Sequence, residues 1–521
     1  MLIIVILVGI VIIFSVIAYF KRNERILKNE IDNFGKENTS NQFDNNEQNN
    51  NINNYAQSLN KNELPNHLNE EVFSEIYSLM EETNNSIFIT GKAGTGKSTL
   101  IEYFKTKTRK NTVYLAPTGV AAINIKGKTI HSFFKFAPQI ITSDEIKKIN
   151  YKERDTDIFK KVEIIIIDEI SMVRADIIQG IDYILKMYRN NYEPFGGVQM
   201  IFIGDMYQLP PVVDKKDIKI THNGKIIFNG HIIDYFQLKY GGPFFFNSDA
   251  FKNTMFLFYE LNTVFRQKDN EFIDLLNSIR ENKINEDTLD ILNKQFNVSL
   301  DNFEDNRITL CTRKGTVQNK NKNMLAKLQT TQLKFDAEVA GSFLKMKPED
   351  YPAEKELTLK QGSQIMMLVN DKEGRWVNGS IGIITKLSKD NIVVNINNIK
   401  YTINKNIWET IDYEYDKEMD KLKTIKTGVF IQYPIMLAWA ITIHKSQGKT
   451  FEKVNIDLDS GAFAHGQTYV ALSRCKTLEG IMLKRPVIRK DIIVDDEVTK
   501  FINEMNKRLD RKAEKTAYNK Q

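Results

Sequence analysis

Four short apolar runs punctuate the first half of the chain: 86–90 (SIFIT), 112–116 (TVYLA), 163–167 (EIIII) and 199–204 (QMIFIG). They are too short for ordinary helices and too continuous for strands with one wet face, so they predict strands buried on both sides. Helical stretches such as 170–189 separate them, and this alternation predicts a parallel sheet covered on both faces. Ligands of such sheets sit at the carboxyl ends of the strands. A second alternating region begins near residue 251 and is interrupted. Residues 381–403 (IGIITKLSKDNIVVNINNIKYTI) show β runs split by turn residues with no helical period, which predicts a small β-barrel inserted over about 346–429. The pattern resumes at 430 and closes with a helix that places Val498, Phe501, Ile502, Met505 and Leu509 on one face. The expected architecture is α/β, with a first domain over 67–250 and a second over 251–345 and 430–521.

The N-terminus follows neither period. Residues 1–20, MLIIVILVGIVIIFSVIAYF, carry no charge, and as a helix they would span about 30 Å, one hydrocarbon core. Lys21, Arg22, Arg25 and Lys28 follow at once, so the positive-inside rule places the rest of the chain in the cytoplasm of a membrane-anchored protein. A cleaved signal peptide ending at Val16-Ile17-Ala18 is the rival, although it lacks a basic leader; a soluble intracellular protein is a further alternative. Residues 41–54 hold eight asparagines in fourteen positions, and the polar stretch 21–66 reads as a disordered linker. As a flexible coil it would span roughly 35–40 Å.

Composition changes this picture little. Among 521 residues, 42% hydrophobic and 26% charged content is that of a globular protein of several domains. A net charge of +6 permits a polyanionic partner without arguing for one. Two distant cysteines, Cys311 and Cys475, suit a reducing compartment and argue against a disulfide scaffold.

The chemistry begins after the first strand. SIFITGKAGTGKSTLIEYF (86–104) fits G-x-x-x-x-G-K-[ST] with Gly91, Gly94, Gly96, Lys97 and Ser98 in place. Glycines let backbone N–H groups close around phosphate oxygens, the helix N-terminus adds positive potential, Lys97 reaches the β/γ-phosphates, and Ser98 is placed to hold magnesium. The expected phosphate contacts therefore run through Gly91, Ala93, Gly94, Thr95, Gly96, Lys97, Ser98 and Thr99. IIIIDEISM (164–172) ends a strand with two acids: Asp168 suits magnesium, and Glu169 suits orienting and deprotonating a water. FIGDMYQLPPV (202–212) offers Gln208 as a neutral γ-phosphate sensor. Guanidinium candidates for transition-state charge are Arg266 (LNTVFRQ) and Arg474 (YVALSRC), either of which in isolation reads as a surface ion pair.

Two other stretches suit a single nucleic-acid strand. APTGVAAINIKGKTIHSFFKF (116–136) brings Thr118, His131, Ser132 and Phe133, and AWAITIHKSQGKTF (438–451) brings Thr442, His444 and Lys445. Hydroxyl, imidazole and ammonium groups grip phosphates, and aromatics stack on bases. The bland alternative is core phenylalanines beside a solvated loop, and at least one of Phe133, Phe134 and Phe136 is expected in the core.

In chain order GKAGTGKST, APTGVAA…TIHSFF, IIDEISMVRADI, PFGGVQMIFIGDMYQLPPV, FRQ, LKQGSQIMMLVND…RWVNGSIG, WAITIHKSQGKTF and GQTYVALSRC resemble the motif series of the petite-integration-frequency (PIF) DNA helicases, RecD-like enzymes of the 5′→3′ branch of helicase superfamily one. The resemblance covers about 68–485. It implies two RecA-like P-loop domains with ATP and magnesium between them, and the inserted barrel. Lys97, Asp168, Glu169, Gln208, Arg266 and Arg474 then hydrolyse ATP, with magnesium on Ser98 and Asp168. Thr118, His131, Ser132, Phe133, Thr442, His444 and Lys445 grip single-stranded DNA near duplex junctions, in a monomer serving repair, recombination or telomere and genome maintenance. The alternatives are a membrane-tethered DNA-binding ATPase without unwinding and an RNA helicase. The family's adenine-reading glutamine is replaced by Val72 in LNEEVFSEI, so weaker ATP-over-GTP selectivity is expected unless Asn69 or a backbone carbonyl substitutes. A membrane anchor is also foreign to the family.

Overall fold

The computed structural model describes residues 70–213, 232–267, 269–296 and 307–518. Residues 1–20, the linker 21–66 and Asn69 lie outside the described residues, as does the side chain of Leu509. No helix among the described residues is long and apolar enough to cross a membrane.

The predicted runs become β1 (Ile87–Gly91), β2 (Thr112–Ala116), β4 (Ile164–Ile167) and β5 (Gln199–Gly204). With the two-residue β3 (Lys128–Thr129) and β6 (Leu257–Leu261) they form a parallel sheet in the order β3-β2-β4-β5-β1-β6. Alternate residues feed opposite faces, as the pleat requires. Phe88, Val113, Leu115, Ile165, Ile167 and Phe202 enter one core, which includes Ile177, Ile178 and Ile181 of α5 (Ala175–Arg189). Ile87, Ile89, Tyr114, Ile166 and Ile203 enter the other, beneath α1 (Glu70–Glu82) and α2 (Lys97–Lys107). Short helices α3 (Gly119–Asn124) and α4 (Glu153–Lys161) complete the part of this domain that matters below.

Three boundaries differ from expectation. The first domain does not stop at 250, because β6 pairs with β1 at its edge. LFYEL is only partly buried, so it lacks the continuous apolar signal of the inner strands. The chain then crosses through α6 (Asn270–Arg280) to a second parallel sheet, β18-β7-β19-β20. Its strands are β7 (Ile308–Cys311), β18 (Ala440–Thr442), β19 (Val454–Asp457) and β20 (Ile481–Leu483), accompanied by α7 (Lys314–Lys327) and α8 (Gln467–Leu472).

The insertion is longer than 346–429 and is not one closed ring. It runs from β8 (Gln332–Asp336) through β9 (Glu338–Gly341), β10 (Glu356–Lys360), β11 (Gln364–Met367), β12 (Ile381–Leu387), β13 (Ile392–Ile396), β14 (Ile399–Ile403), β15 (Asn406–Asp416) and β16 (Lys421–Gln432) to β17 (Ile435–Leu437). These strands form three small sheets: β10-β8, β14-β13-β12-β11-β17 and β15-β16-β9. Strands β8 and β9 (Glu338–Gly341) fall outside the expected range because their exposed, charged positions hide the alternation. The long pair β15 (Asn406–Asp416) and β16 (Lys421–Gln432) reaches back to the first domain, where β15 packs on α4. The closing helix, α9 (Asp496–Tyr518), buries Val498, Phe501, Ile502 and Met505 as its period predicts. It packs on the first domain rather than the second: Phe501 stacks on Phe246 at 4.2 Å and lies 5.7 Å from Phe88 of β1.

Candidate nucleotide site and strand-binding surface

The carboxyl ends of β1, β4 and β5 deliver the phosphate loop, the acid pair and the Gln208 loop to one place. Gly94 and Gly96 adopt φ of 84° and 86°, backbone that side chains resist, and a Cβ on Gly94 would lie 2.5 Å from that of Arg266. Lys97 Nζ donates to the carbonyls of Gly91 and Lys92 at 2.7 and 2.8 Å. Burial lowers its pKa, partly offset by Asp205, Glu169 and Asp168.

Asp168 is buried, and its Oδ1 accepts the Glu169 N–H at 2.9 Å. Burial and then the adjacent Glu169 raise its pKa. The donor set suits magnesium, which takes one or two carboxylates plus substrate phosphates and would be held here by Asp168 and the exposed Ser98 hydroxyl. Glu169 has the left-handed conformation φ 50°, ψ 44°, rare for a residue with a side chain and typical of strained functional sites. Burial raises its pKa, while Lys97 and Arg474 pull it down.

Both candidate arginines are here. The Phe265 N–H donates to the Gly94 carbonyl at 2.9 Å, which seats Arg266 over the phosphate loop. Arg474, on the turn after α8, is 1% exposed and donates to Val470 O and Ser473 Oγ, each at 2.9 Å. Burial and then Arg474 push Arg266 down to about 9. A buried guanidinium, Arg474, and a half-buried one, Arg266, thus lie close together beside the phosphate loop, where their like charges repel. Gln267 ties the two segments together through bonds to the carbonyls of Ser473 and Cys475 at 3.1 and 2.9 Å.

Gln208 is buried, and its Nε2 donates to Asp205 Oδ2 at 3.2 Å. Asp205, fully enclosed, also accepts from Arg280 Nη2 at 3.3 Å and from the Tyr469 hydroxyl at 3.2 Å. Burial alone would raise Asp205, but Arg280 and Lys97 hold it below the usual carboxylate range. Sequence reasoning missed Asp205, Gln267, Arg280 and Tyr469. Asp205, Gln267 and Tyr469 lie inside the quoted motifs, near polar residues with better-known chemistry, while only folding brings Arg280 of α6 to this point.

The strand residues divide. Thr118 caps α3, accepting the Ala121 N–H at 3.3 Å, and Thr442 ends β18 and accepts the Lys445 N–H at 3.2 Å. Ser132 and Lys445 are exposed, and His131 and His444 are half-buried. Burial lowers both imidazole pKa values, aided by Arg174 at His131 and by Lys314 at His444. Phe133 departs from expectation. It is buried at 5% exposure among Phe134, Phe159 and Tyr413, so it forms core and offers no face to a base. Phe134 and Phe136 are also core, so the bland reading holds for all three. Val72 packs against the core under α1, where its side chain has no polar group for an adenine edge.

This arrangement, two parallel sheets meeting at a phosphate loop with arginines supplied beside it, defines a two-domain P-loop fold. Comparison makes the class specific. A family model described as PIF1-like helicase matches residues 66–290. The ATP-dependent DNA helicase Pif1 of Bdellovibrio bacteriovorus is 31% identical over 432 residues, covering 80% of this chain and 88% of that protein. The ATP-dependent DNA helicase PIF1 of Emericella nidulans is 30% identical over 483 residues. The chain spans 61% of the length of this fungal relative and 58% of that of a Danio rerio one. The crystal structure of Bacteroides sp. Pif1 in complex with ADP-AlF4 superposes with a TM-score of 0.75 at 36% identity, covering 84% of this chain and 97% of that one. Bacteroides Pif1 bound to single-stranded DNA superposes at 0.59 with 37% identity, covering 84% and 96%. The chain belongs to the PIF1-like helicase family.

Proposed function

We propose that this protein is an ATP-dependent DNA helicase that moves 5′→3′ along single-stranded DNA and parts the duplex ahead. The observation that carries this is the meeting of Arg266 and Arg474 with Lys97 and Glu169 at the phosphate loop, in a chain whose relatives are named ATP-dependent DNA helicases. Lys97 and the backbone of 91–99 hold the triphosphate. Glu169 takes the proton of the water that attacks the γ-phosphorus, and Arg266 and Arg474 meet the charge that develops there. Magnesium, held by Ser98 and Asp168, would neutralise phosphate charge. Because Arg474 belongs to the second domain, the charge state of the nucleotide sets how tightly the domains close, and alternating closure steps the strand past Thr118, His131, Ser132, Thr442, His444 and Lys445.

The direction 5′→3′, a monomeric motor and anchoring through residues 1–20 complete the reading. Its test is ATP hydrolysis by residues 60–521 with and without oligothymidylate. A large stimulation by the oligonucleotide supports a motor, and equal rates in both conditions refute it.

A further inference from the structure

One hydrogen-bonded chain crosses the molecule from the strand loop to the phosphate loop. Gln447, directly after the His444–Ser446 turn, donates from Nε2 to Gln208 Oε1 at 3.4 Å. Gln208 Nε2 donates to Asp205 Oδ2 at 3.2 Å, and the Tyr469 hydroxyl donates to the same oxygen at 3.2 Å. The Tyr469 oxygen in turn accepts the backbone N–H of Ala93, inside the phosphate loop, at 3.3 Å. Gln447 and Tyr469 belong to the second domain, and Gln208, Asp205 and Ala93 to the first.

We propose that Tyr469 is a positioning residue that couples strand contact at Gln447 to the shape of the phosphate loop. This rests on the helicase reading above. Asp205 has no exposed surface, so its charge depends on its donors, of which Arg280 holds the other oxygen. Oδ2 is shared by Gln208 and Tyr469, and a strand that draws Gln447 and Gln208 away shifts that oxygen's bonding onto Tyr469. The hydroxyl then moves against the Ala93 N–H. Tyr469 reaches this point only while α8 is seated. Gly466, just before α8, has φ of 68°, and a Cβ there would lie 2.2 Å from the Tyr207 carbonyl oxygen and 2.7 Å from that of Gln208. The contact therefore reports domain closure as well as strand contact.

Tyr469→Phe keeps the ring, which is 4% exposed and part of the core, and removes only the hydroxyl. The expected result is a fall of about tenfold or more in the ratio of DNA-stimulated to unstimulated kcat, the scale of one hydrogen bond to a charged group. Affinity for labelled oligothymidylate, read by anisotropy without nucleotide, should stay within about twofold. In a double-mutant cycle with Gln447→Ala the two losses should be non-additive, because both break one chain. An unchanged stimulation ratio, or two fully additive losses, overturns the coupling. If Tyr469→Phe lowers the melting temperature appreciably, Gln447→Ala alone decides: the same loss of stimulation supports the chain, and normal stimulation overturns it. A wild-type protein whose hydrolysis ignores oligothymidylate overturns the helicase reading and this inference together, whereas a stimulated wild type with an equally stimulated Tyr469→Phe overturns the inference alone.

Discussion

The roles proposed for Lys97 and Glu169 differ within one site, and single substitutions separate them. Lys97→Ala removes the cation proposed to meet the β/γ-phosphates and should abolish both tight nucleotide binding and turnover. Glu169→Gln keeps the shape and loses the base, so fluorescent nucleotide should still bind while hydrolysis falls by about 10²-fold or more. Loss of binding in Glu169→Gln would assign the side chain to substrate binding instead. Phe133 and Lys445 make a second contrast. Phe133→Ala should cost about 3–5 kcal/mol in denaturant unfolding, because it opens a cavity among Phe134, Phe159 and Tyr413. Lys445→Ala, on an exposed loop, should leave stability nearly unchanged while weakening oligothymidylate binding and lowering the salt slope by about one. The reverse pattern would return Phe133 to the strand surface.

At the scale of elements, the β15–β16 pair supplies what the first sheet lacks. Strand β3 pairs only with Leu115 and Ala116, so the Tyr114 N–H on that side of β2 has no ladder partner. The hydroxyl of Tyr413, itself 2% exposed, accepts it at 2.9 Å, and its neighbour Asp412 bridges Lys128 at 2.6 Å and Arg154 at 2.7 Å. Tyr413→Phe should therefore speed hydrogen exchange at the Tyr114 amide, with about 1–2 kcal/mol lost from its local opening free energy. Unchanged exchange would show that packing alone seats the pair. The charge of Asp412 adds a pH dependence. Burial opposes it, but Lys128 holds its pKa below the ordinary aspartate value, assisted by the Tyr413 N–H and Arg154. A depressed carboxylate pKa contributes stability that is fully present above the unfolded value near 4 and is lost as pH falls through the folded value. Exchange at Tyr114 in the wild type should accelerate over that acid window, and Asp412→Asn should remove this component.

For the whole molecule, polarity and location are the open proposals. Unwinding of matched duplexes should require a 5′ single-stranded tail; preference for a 3′ tail would place the motor in the opposite branch of the superfamily. Twenty uncharged residues before a basic cluster should keep the full-length chain in the membrane pellet through carbonate extraction, while residues 23–521 should be soluble with the same DNA-stimulated ATPase. Recovery of the intact chain in the soluble fraction would rule the anchor out, and cleavage after Ala18 would favour a signal peptide.

The phosphate loop, the acid pair and the inner strands were legible in the residue order because their chemistry is local. A glycine turn between a strand and a helix, or two acids at a strand end, needs no distant partner to be recognised. Fully buried strands also announce themselves by continuous apolar runs. Edge elements did not: β6, β8 and β9 are half-wet, so their alternation is blurred and the domain boundaries drawn from it were displaced. The aromatic trio at 133–136 could be read as a stacking platform or as core, since periodicity does not say which side of a short helix faces water, and packing against Phe159 and Tyr413 settled it. The Asp205–Tyr469–Arg280 cluster was decided by tertiary structure alone. Its members lie on a strand end and two helices far apart in the chain, and a buried carboxylate finds its donors only when the domains that carry them close around it.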